Sequence, residues 1–212
     1  MNDVFKALDL TNLKKVATKE DIRKLCAEAI EKNTKSVCVQ PCYVDIAARI
    51  LEGKKPVVCT VIGFPNGYNT TVVKKAETLD ALVRGAKEID MVVNINWIKD
   101  GEWGNITSEI AQLAVVCHDN DAILKVIVET CLLTDEEKVK MCEICLAAGA
   151  DYIKTSTGFD SSGAQLEDIE LMYKTINGRN LKIKASGGIR TVEAAQKMMD
   201  AGADRIGASG LK

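Results

Sequence analysis

Short apolar runs rich in valine and isoleucine recur along the chain, separated by stretches whose apolar residues fall three or four apart. The runs at 7–10, 36–40, 57–62, 88–95, 122–129, 151–155, 181–186 and 205–208 read as eight β-strands, since β-branched side chains suit a buried pleated surface. The stretches between them read as amphipathic helices. Thr18-Lys-Glu-Asp, Thr134-Asp-Glu-Glu and Thr191-Val-Glu-Ala each set a hydroxyl cap ahead of acidic residues, a usual helix opening. Near-continuous apolar strands alternating with helices predict a parallel sheet covered by helices. Arg84-Gly-Ala-Lys-Glu-Ile-Asp, Ala148-Gly-Ala-Asp-Tyr-Ile-Lys and Ala201-Gly-Ala-Asp-Arg-Ile-Gly repeat one joint, where a helix stops at glycine and a strand follows. The pattern predicts an α/β chain forming a single (β/α)8 TIM barrel over residues 1–212, with a short or missing final helix. An open doubly wound sheet is the structural alternative, but no Gly-x-Gly-x-x-Gly follows an early strand.

Strand parity then picks out the polar residues. In Glu88-Ile-Asp-Met-Val-Val-Asn94, Asp90, Val92 and Asn94 face one way. Lys125, Ile127 and Glu129 share a face of the next strand; Lys154 shares one with Tyr152, and Lys184 with Ser186. Four successive strands thus carry an ionisable group opposite the residues that should meet the helices. In a barrel that face is the interior, and strand ends point into the mouth. A buried structural ion network is the plainer explanation for any one of these groups; four in succession favour a functional site. Lysines ending buried strands, as Lys154 and Lys184 do, are unfavourable unless paired or used. Two neighbouring ammonium groups can make one amine nucleophilic, because each disfavours the other's charge.

Glycine joints complete the mouth. Ala185-Ser-Gly-Gly-Ile-Arg-Thr follows the seventh strand, Gly207-Ala-Ser-Gly the eighth, and Thr155-Ser-Thr-Gly158 the sixth. Barrels commonly bind phosphate after strands seven and eight, where glycine lets backbone N–H groups approach an anion.

Composition narrows the function classes. Of 212 residues, 47% are hydrophobic, enough for one well-formed core, and the net charge of −2 comes from scattered groups. No basic tract points to nucleic acid, and no apolar run reaches membrane-spanning length. The start, Met1-Asn-Asp-Val-Phe-Lys, lacks a signal-peptide pattern, so a cytoplasmic protein is expected. The eight cysteines read as reduced and structural: Cys38 and Cys59 lie in apolar strands, and Cys26, Cys142 and Cys145 on helical faces. Cys142-Glu-Ile-Cys145 has metal-ligand spacing but no second pair. The single histidine, His118, sits in His-Asp-Asn-Asp, which reads as a solvated loop after a helix.

Leu8-Asp-Leu-Thr-Asn-Leu13, Ser36-Val-Cys-Val-Gln-Pro-Cys42, Thr60-Val-Ile-Gly-Phe-Pro-Asn-Gly67, Glu88-Ile-Asp-Met-Val-Val-Asn94 and Leu124-Lys-Val-Ile-Val-Glu-Thr130 resemble the deoxyribose-phosphate aldolase family. So do Tyr152-Ile-Lys-Thr-Ser-Thr-Gly158, Lys184-Ala-Ser-Gly-Gly-Ile-Arg190 and Arg205-Ile-Gly-Ala-Ser209. The resemblance covers nearly the whole chain. It implies a (β/α)8 barrel of class I aldolases, needing no metal or other cofactor. These enzymes reversibly cleave 2-deoxy-D-ribose 5-phosphate to D-glyceraldehyde 3-phosphate and acetaldehyde. Lys154 would be the Schiff-base lysine and Lys184 the ammonium that keeps it partly unprotonated. Asp90 would be the acid/base, acting through a water. Lys125 and Asp9 would support proton handling, and Gly158, Gly187, Gly188 and Ser209 would hold the phosphate. A homodimer is also implied. The chain departs from many relatives at Leu10, where histidine is common, and at Gly210, where a second serine is common.

An untuned lysine, with a pKa of about 10.4, is only about 0.04% neutral at pH 7, so such chemistry needs a tuned amine. Two other readings remain: a different phosphate-binding barrel enzyme, such as a flavin enzyme, or a sugar-phosphate binding barrel without catalysis. A flavin site does not require lysines on both strands six and seven. Retention of Lys154, Lys184 and Asp90 together speaks against lost catalysis.

Overall fold

Eight parallel strands close on themselves in sequence order: β1 (Leu8–Asn12), β2 (Ser36–Val39), β3 (Val57–Ile62), β4 (Glu88–Val92), β5 (Ile123–Ile127), β6 (Tyr152–Lys154), β7 (Lys182–Ser186) and β8 (Arg205–Ala208). The computed structural model describes residues 2–212. β8 returns to β1 through the register Leu8↔Ile206, Asp9↔Gly207 and Leu10↔Ala208, so the sheet has no open edge. Among the described residues no helix follows β8.

The caps form where the hydroxyls predict them. Thr18 and Thr134 each accept from the backbone three residues on, while Asp21 and Glu137 reach back in capping boxes. Thr191 accepts from the Ala194 N–H. The repeated joint is one hydrogen-bonding motif used three times. Ala86, Ala150 and Ala203 donate to the carbonyls of Ala81, Cys145 and Met198, five residues back. Gly85, Gly149 and Gly202 donate to the carbonyls of Leu82, Leu146 and Met199 inside each loop. Both bonds satisfy helix-end carbonyls and turn the chain into the next strand.

The main core lies between strands and helices, built from outward-facing residues such as Leu10, Val37, Ile89, Met91, Val126, Ile153, Ile183 and Ile206. A smaller apolar cluster, Cys38, Cys59 and Val61 with Leu13 and Phe64, fills one side of the barrel interior. Asp9, Glu88, Asp90, Lys125, Lys154, Lys184 and Arg205 share that interior.

Two expectations shift at strand ends. β4 stops at Val92, and Asn94 caps the helix Ile95–Lys99 by accepting from the Asn96 N–H. β5 stops at Ile127, and Glu129 adopts a left-handed backbone with φ +53°. Parity fails for both residues because the two-residue alternation ends with the ladder. His118 ends the helix Trp103–His118 and contacts Asp151 at 3.0 Å, so it is a surface pair at a helix terminus. Among the described residues no helix is long and apolar enough to cross a membrane.

Candidate active site

Adjacent parallel strands in register bring the polar interior together. Asp90 pairs with Lys125 across β4–β5, and Lys154 with Lys184 across β6–β7. Their side chains meet on the barrel axis, essentially out of contact with water. Asp90 and Lys125 are 0% exposed, Lys184 1% and Lys154 3%.

Asp90 is the hub. Its Oδ2 accepts from both Lys154 Nζ and Lys184 Nζ at 2.7 Å, and its Oδ1 accepts from Lys125 Nζ at 2.8 Å. Lys184 also donates to Asp9 Oδ2 at 2.5 Å, and Asp9 Oδ1 accepts from Arg205 at 2.6 Å. Lys125 Nζ lies 2.7 Å from Glu88 Oε2, and Arg205 lies 2.9 Å from the same oxygen. Asp9, Lys125, Lys154, Lys184 and Asp90 thus stand together as their motifs predict. The two lysines of β6 and β7 do not face each other bare, however, because one carboxylate oxygen bridges them.

Burial alone would make each of these charges unstable. Burial pushes the Asp90 carboxyl up, but Lys125, Lys154 and Lys184 outweigh it and hold the group well below the ordinary carboxylate value. Burial likewise raises Asp9, and Lys184, Lys125 and Arg205 together pull it below its ordinary value. Burial pulls the Lys184 ammonium down, yet Asp9 and Asp90 hold it above the ordinary lysine value. Lys125 is raised against burial by Asp90, Cys59, Glu88 and Asp9. Lys184 is therefore a fixed ammonium and Asp90 a fixed carboxylate in the resting site.

The mouth above this network is a cavity of about 450 Å³. Of the network's cations only Lys154 lines it; Gly158, Gly187, Gly188 and Ser209 line it too, joined at the rim by Lys14, Lys15 and Arg190. At Gly187, φ is +85° and an added Cβ would stand 2.9 Å from Gly163 Cα, so the two loops approach too closely for any side chain. A Cβ at Gly207 would stand 3.1 Å from Lys184 Cε, so that glycine keeps the lysine's channel open. Phe159, on the loop after β6, meets Phe64 edge-on with ring centres 5.2 Å apart.

Several participants carry no clear signal in the sequence. Cys59 Sγ lies 3.2 Å from Asp90 Oδ1 and 3.3 Å from Lys125 Nζ, although its motif reads as plain apolar strand. Glu88 and Arg205 sit two residues before Asp90 and Gly207, so parity carries them to the same interior. Glu129 is held by Thr157, whose hydroxyl donates at 2.5 Å and whose backbone N–H also points to the carboxylate. Thr157 Oγ1 in turn accepts from the Phe159 N–H, so Glu129 braces the loop that carries Gly158. The donor atoms of Cys38, Cys59 and Asp90 lie within 4.8 Å of one another, close enough for a cation. Three ammonium groups already occupy Asp90, which makes the place hostile to a metal.

Comparison with known proteins agrees with this geometry. A family model described as DeoC/LacD family aldolase matches residues 4–212. A deoxyribose-phosphate aldolase of Caldanaerobacter subterraneus subsp. tengcongensis is 51% identical, with 98% of this chain aligned to 90% of that one. One from Lysinibacillus sphaericus is 54% identical, over 95% of this chain and 90% of its own. The solved structure of QR15, an aldolase, superposes with a TM-score of 0.93 at 42% identity, covering 99% of this chain and 92% of that one. The deoxyribose phosphate aldolase of Aeropyrum pernix, described as a unique tetramer, gives 0.92 at 31% identity, over 98% and 87%. The chain belongs to the DeoC/LacD aldolase family.

Proposed function

We propose that this chain reversibly cleaves 2-deoxy-D-ribose 5-phosphate to D-glyceraldehyde 3-phosphate and acetaldehyde through an imine on Lys154. One observation carries the reading: among the four cations of the interior network, only Lys154 opens onto the cavity that the glycine joints line. The Lys154 amine adds to the C1 aldehyde of the open-chain sugar, and water leaves to give an iminium. Asp90, acting through a water, takes the C3 hydroxyl proton. The C2–C3 bond then breaks, and its electrons flow into the iminium to leave an enamine. Glyceraldehyde 3-phosphate departs, the enamine C2 regains a proton, and water releases acetaldehyde from the imine.

The network's charge supports this role. Four cations (Lys125, Lys154, Lys184 and Arg205) face three carboxylates (Asp9, Glu88 and Asp90), so release of one proton from the cluster balances it. Lys125 touches three carboxylates and Lys184 and Arg205 two each, whereas Lys154 touches one. In this reading Gly158, Gly187, Gly188 and Ser209 hold the substrate phosphate, with Lys14, Lys15 and Arg190 beside them. A homodimer in the cytoplasm belongs to the same proposal. The exposed stripe Val72, Leu79 and Val83 on the helix Thr71–Val83 supports self-association, and sedimentation measures it.

Borohydride reduction with acetaldehyde, followed by peptide mass analysis, tests the covalent step. A single adduct of acetaldehyde minus water, reduced, is expected on Lys154. An adduct elsewhere, or one that persists in Lys154→Arg, refutes the assignment.

A further inference from the structure

The interior network continues below the reacting lysine to the opposite end of the barrel. Glu88 and Arg205 begin β4 and β8, and both line a second cavity, of about 350 Å³, among the N-terminal strand ends. Neither lines the mouth cavity, so neither reaches a substrate bound there. Both are nonetheless 3% exposed and joined to the reacting end by short contacts. Glu88 meets Lys125, which meets Asp90; Arg205 meets Asp9, which meets Lys184. The Arg205 guanidinium is further seated by the Tyr152 hydroxyl at 3.3 Å and lies 5.2 Å from the centre of that ring.

From these contacts we infer that Glu88 and Arg205 are positioning residues of opposite sign, setting from the barrel floor the charge that decides when the site gives up its proton. This rests on the reading of Lys154 as the imine-forming amine. Glu88 is the third carboxylate, without which the excess would be two positive charges. Arg205 is the fourth cation, without which the fully protonated lysines would already be balanced. Every element around Lys154 contributes: Asp9 from β1, Cys38 from β2, Cys59 from β3, Glu88 and Asp90 from β4, Lys125 from β5 and Tyr152 from β6. Lys184 from β7 and Arg205 from β8 close the ring, with Glu129 and Asp160 on the loops above and Lys14, Lys15 and Arg190 at the mouth. Every charged side chain of the network is at most 4% exposed, so a charge changed at its far end is screened less than one at the surface.

The sign of each effect follows. Glu88→Gln removes a negative charge, which favours the neutral amine. The limb along which activity rises with pH should then move to lower pH by about one unit. Arg205→Met removes a positive charge and should move that limb to higher pH by a similar amount, lowering activity at neutral pH about tenfold. The double variant Glu88→Gln/Arg205→Met restores the original charge and should return the limb close to its original position, even if total activity falls. The experiment measures kcat/KM against pH for all four proteins, with acetaldehyde trapping by cyanoborohydride across the same range. Limbs that move the same way in both single variants, or do not move, overturn the inference. Folding defects would lower amplitude without producing opposite displacements. Absence of a Lys154 adduct in the unmodified protein would refute the imine reading itself, a separate outcome.

Discussion

Two groups of buried charge in this protein look alike by burial and differ in everything else. Behind the sheet, Lys74 and Glu109 join the helices Thr71–Val83 and Trp103–His118 through a 2.8 Å contact, both side chains 0% exposed. Lys74 also donates to the Val92 carbonyl at 2.8 Å, and Glu109 accepts from the Thr71 hydroxyl at 3.1 Å. That pair is balanced, one charge against one, and its residues line neither cavity described above. Inside the barrel, four cations meet three carboxylates and one cation opens onto a cavity. The direction of titration differs as well. Burial dominates the isolated pair, lowering Lys74 and raising Glu109, so each is pushed towards neutrality. In the interior network the neighbours dominate and hold Asp9, Asp90, Lys125 and Lys184 charged. Buried charge by itself therefore does not mark a site; imbalance joined to access does.

The comparison can be broken most sharply at Asp90. Asp90→Asn keeps the shape but removes the charge shared by three lysines, and kcat should fall by about 10²–10⁴-fold. A steady-state assay with the phosphorylated sugar reads this, and a variant within about threefold of the parent would remove Asp90 from the chemistry.

Lys74→Met should do the reverse. Leaving Glu109 buried without its cation is predicted to lower stability by about 3–5 kcal/mol, with activity per folded molecule unchanged. Urea unfolding measures the loss, and pairing the change with Glu109→Leu should recover much of it. A fall in kcat of the folded fraction would show that this pair, too, serves the site.

Gly187→Ala separates the mouth from the network beneath it. The strained φ and the close approach to Gly163 should raise KM for the phosphorylated substrate about tenfold. KM for unphosphorylated 2-deoxyribose should change much less, since that sugar makes no use of the anion cradle. Equal losses for both substrates would remove the phosphate assignment.

The smallest effect lies in the pH dependence of stability. Asp9 and Asp90 are held below their ordinary value of 3.8, so their stabilisation is present above it and lost as pH falls through the depressed folded values. Glu109 is raised from 4.5, so its contribution runs the other way, favouring the fold below 4.5 and fading as pH rises through its folded value. Unfolding free energies between pH 5 and pH 2 should fall less steeply in Asp9→Asn than in the parent, and more steeply in Lys74→Met/Glu109→Leu. Identical slopes in all three would contradict the assigned directions.

The helix caps, the glycine joints and the strand order could be read from the sequence because each depends on neighbours within a few residues. Thr18, Thr134 and Thr191 find partners three residues away, and the joints at Gly85, Gly149 and Gly202 close over five. Parity served as far as the ladder lasted. It placed Asp90, Lys125, Lys154 and Lys184 together and failed at Asn94 and Glu129, where the strands had ended. Resemblance separated the roles of the two lysines, which spacing alone could not do.

What the sequence determined by itself was the barrel, four of its interior charges (Asp90, Lys125, Lys154 and Lys184) and the glycine joints at its mouth. All of these follow from local periodicity and hydrogen-bonding rules that need no long-range contact. Only the tertiary structure decided how those charges pair. Closure of β8 onto β1 brings Arg205 to Asp9, 196 residues apart, and Lys184 to the same carboxylate from 175 residues away. It also decided that Asp90 stands between Lys154 and Lys184, and that Lys154 alone of the network's cations lines the cavity. Charge acts through distance in space, and inside a closed barrel that distance is fixed by the ring of strands.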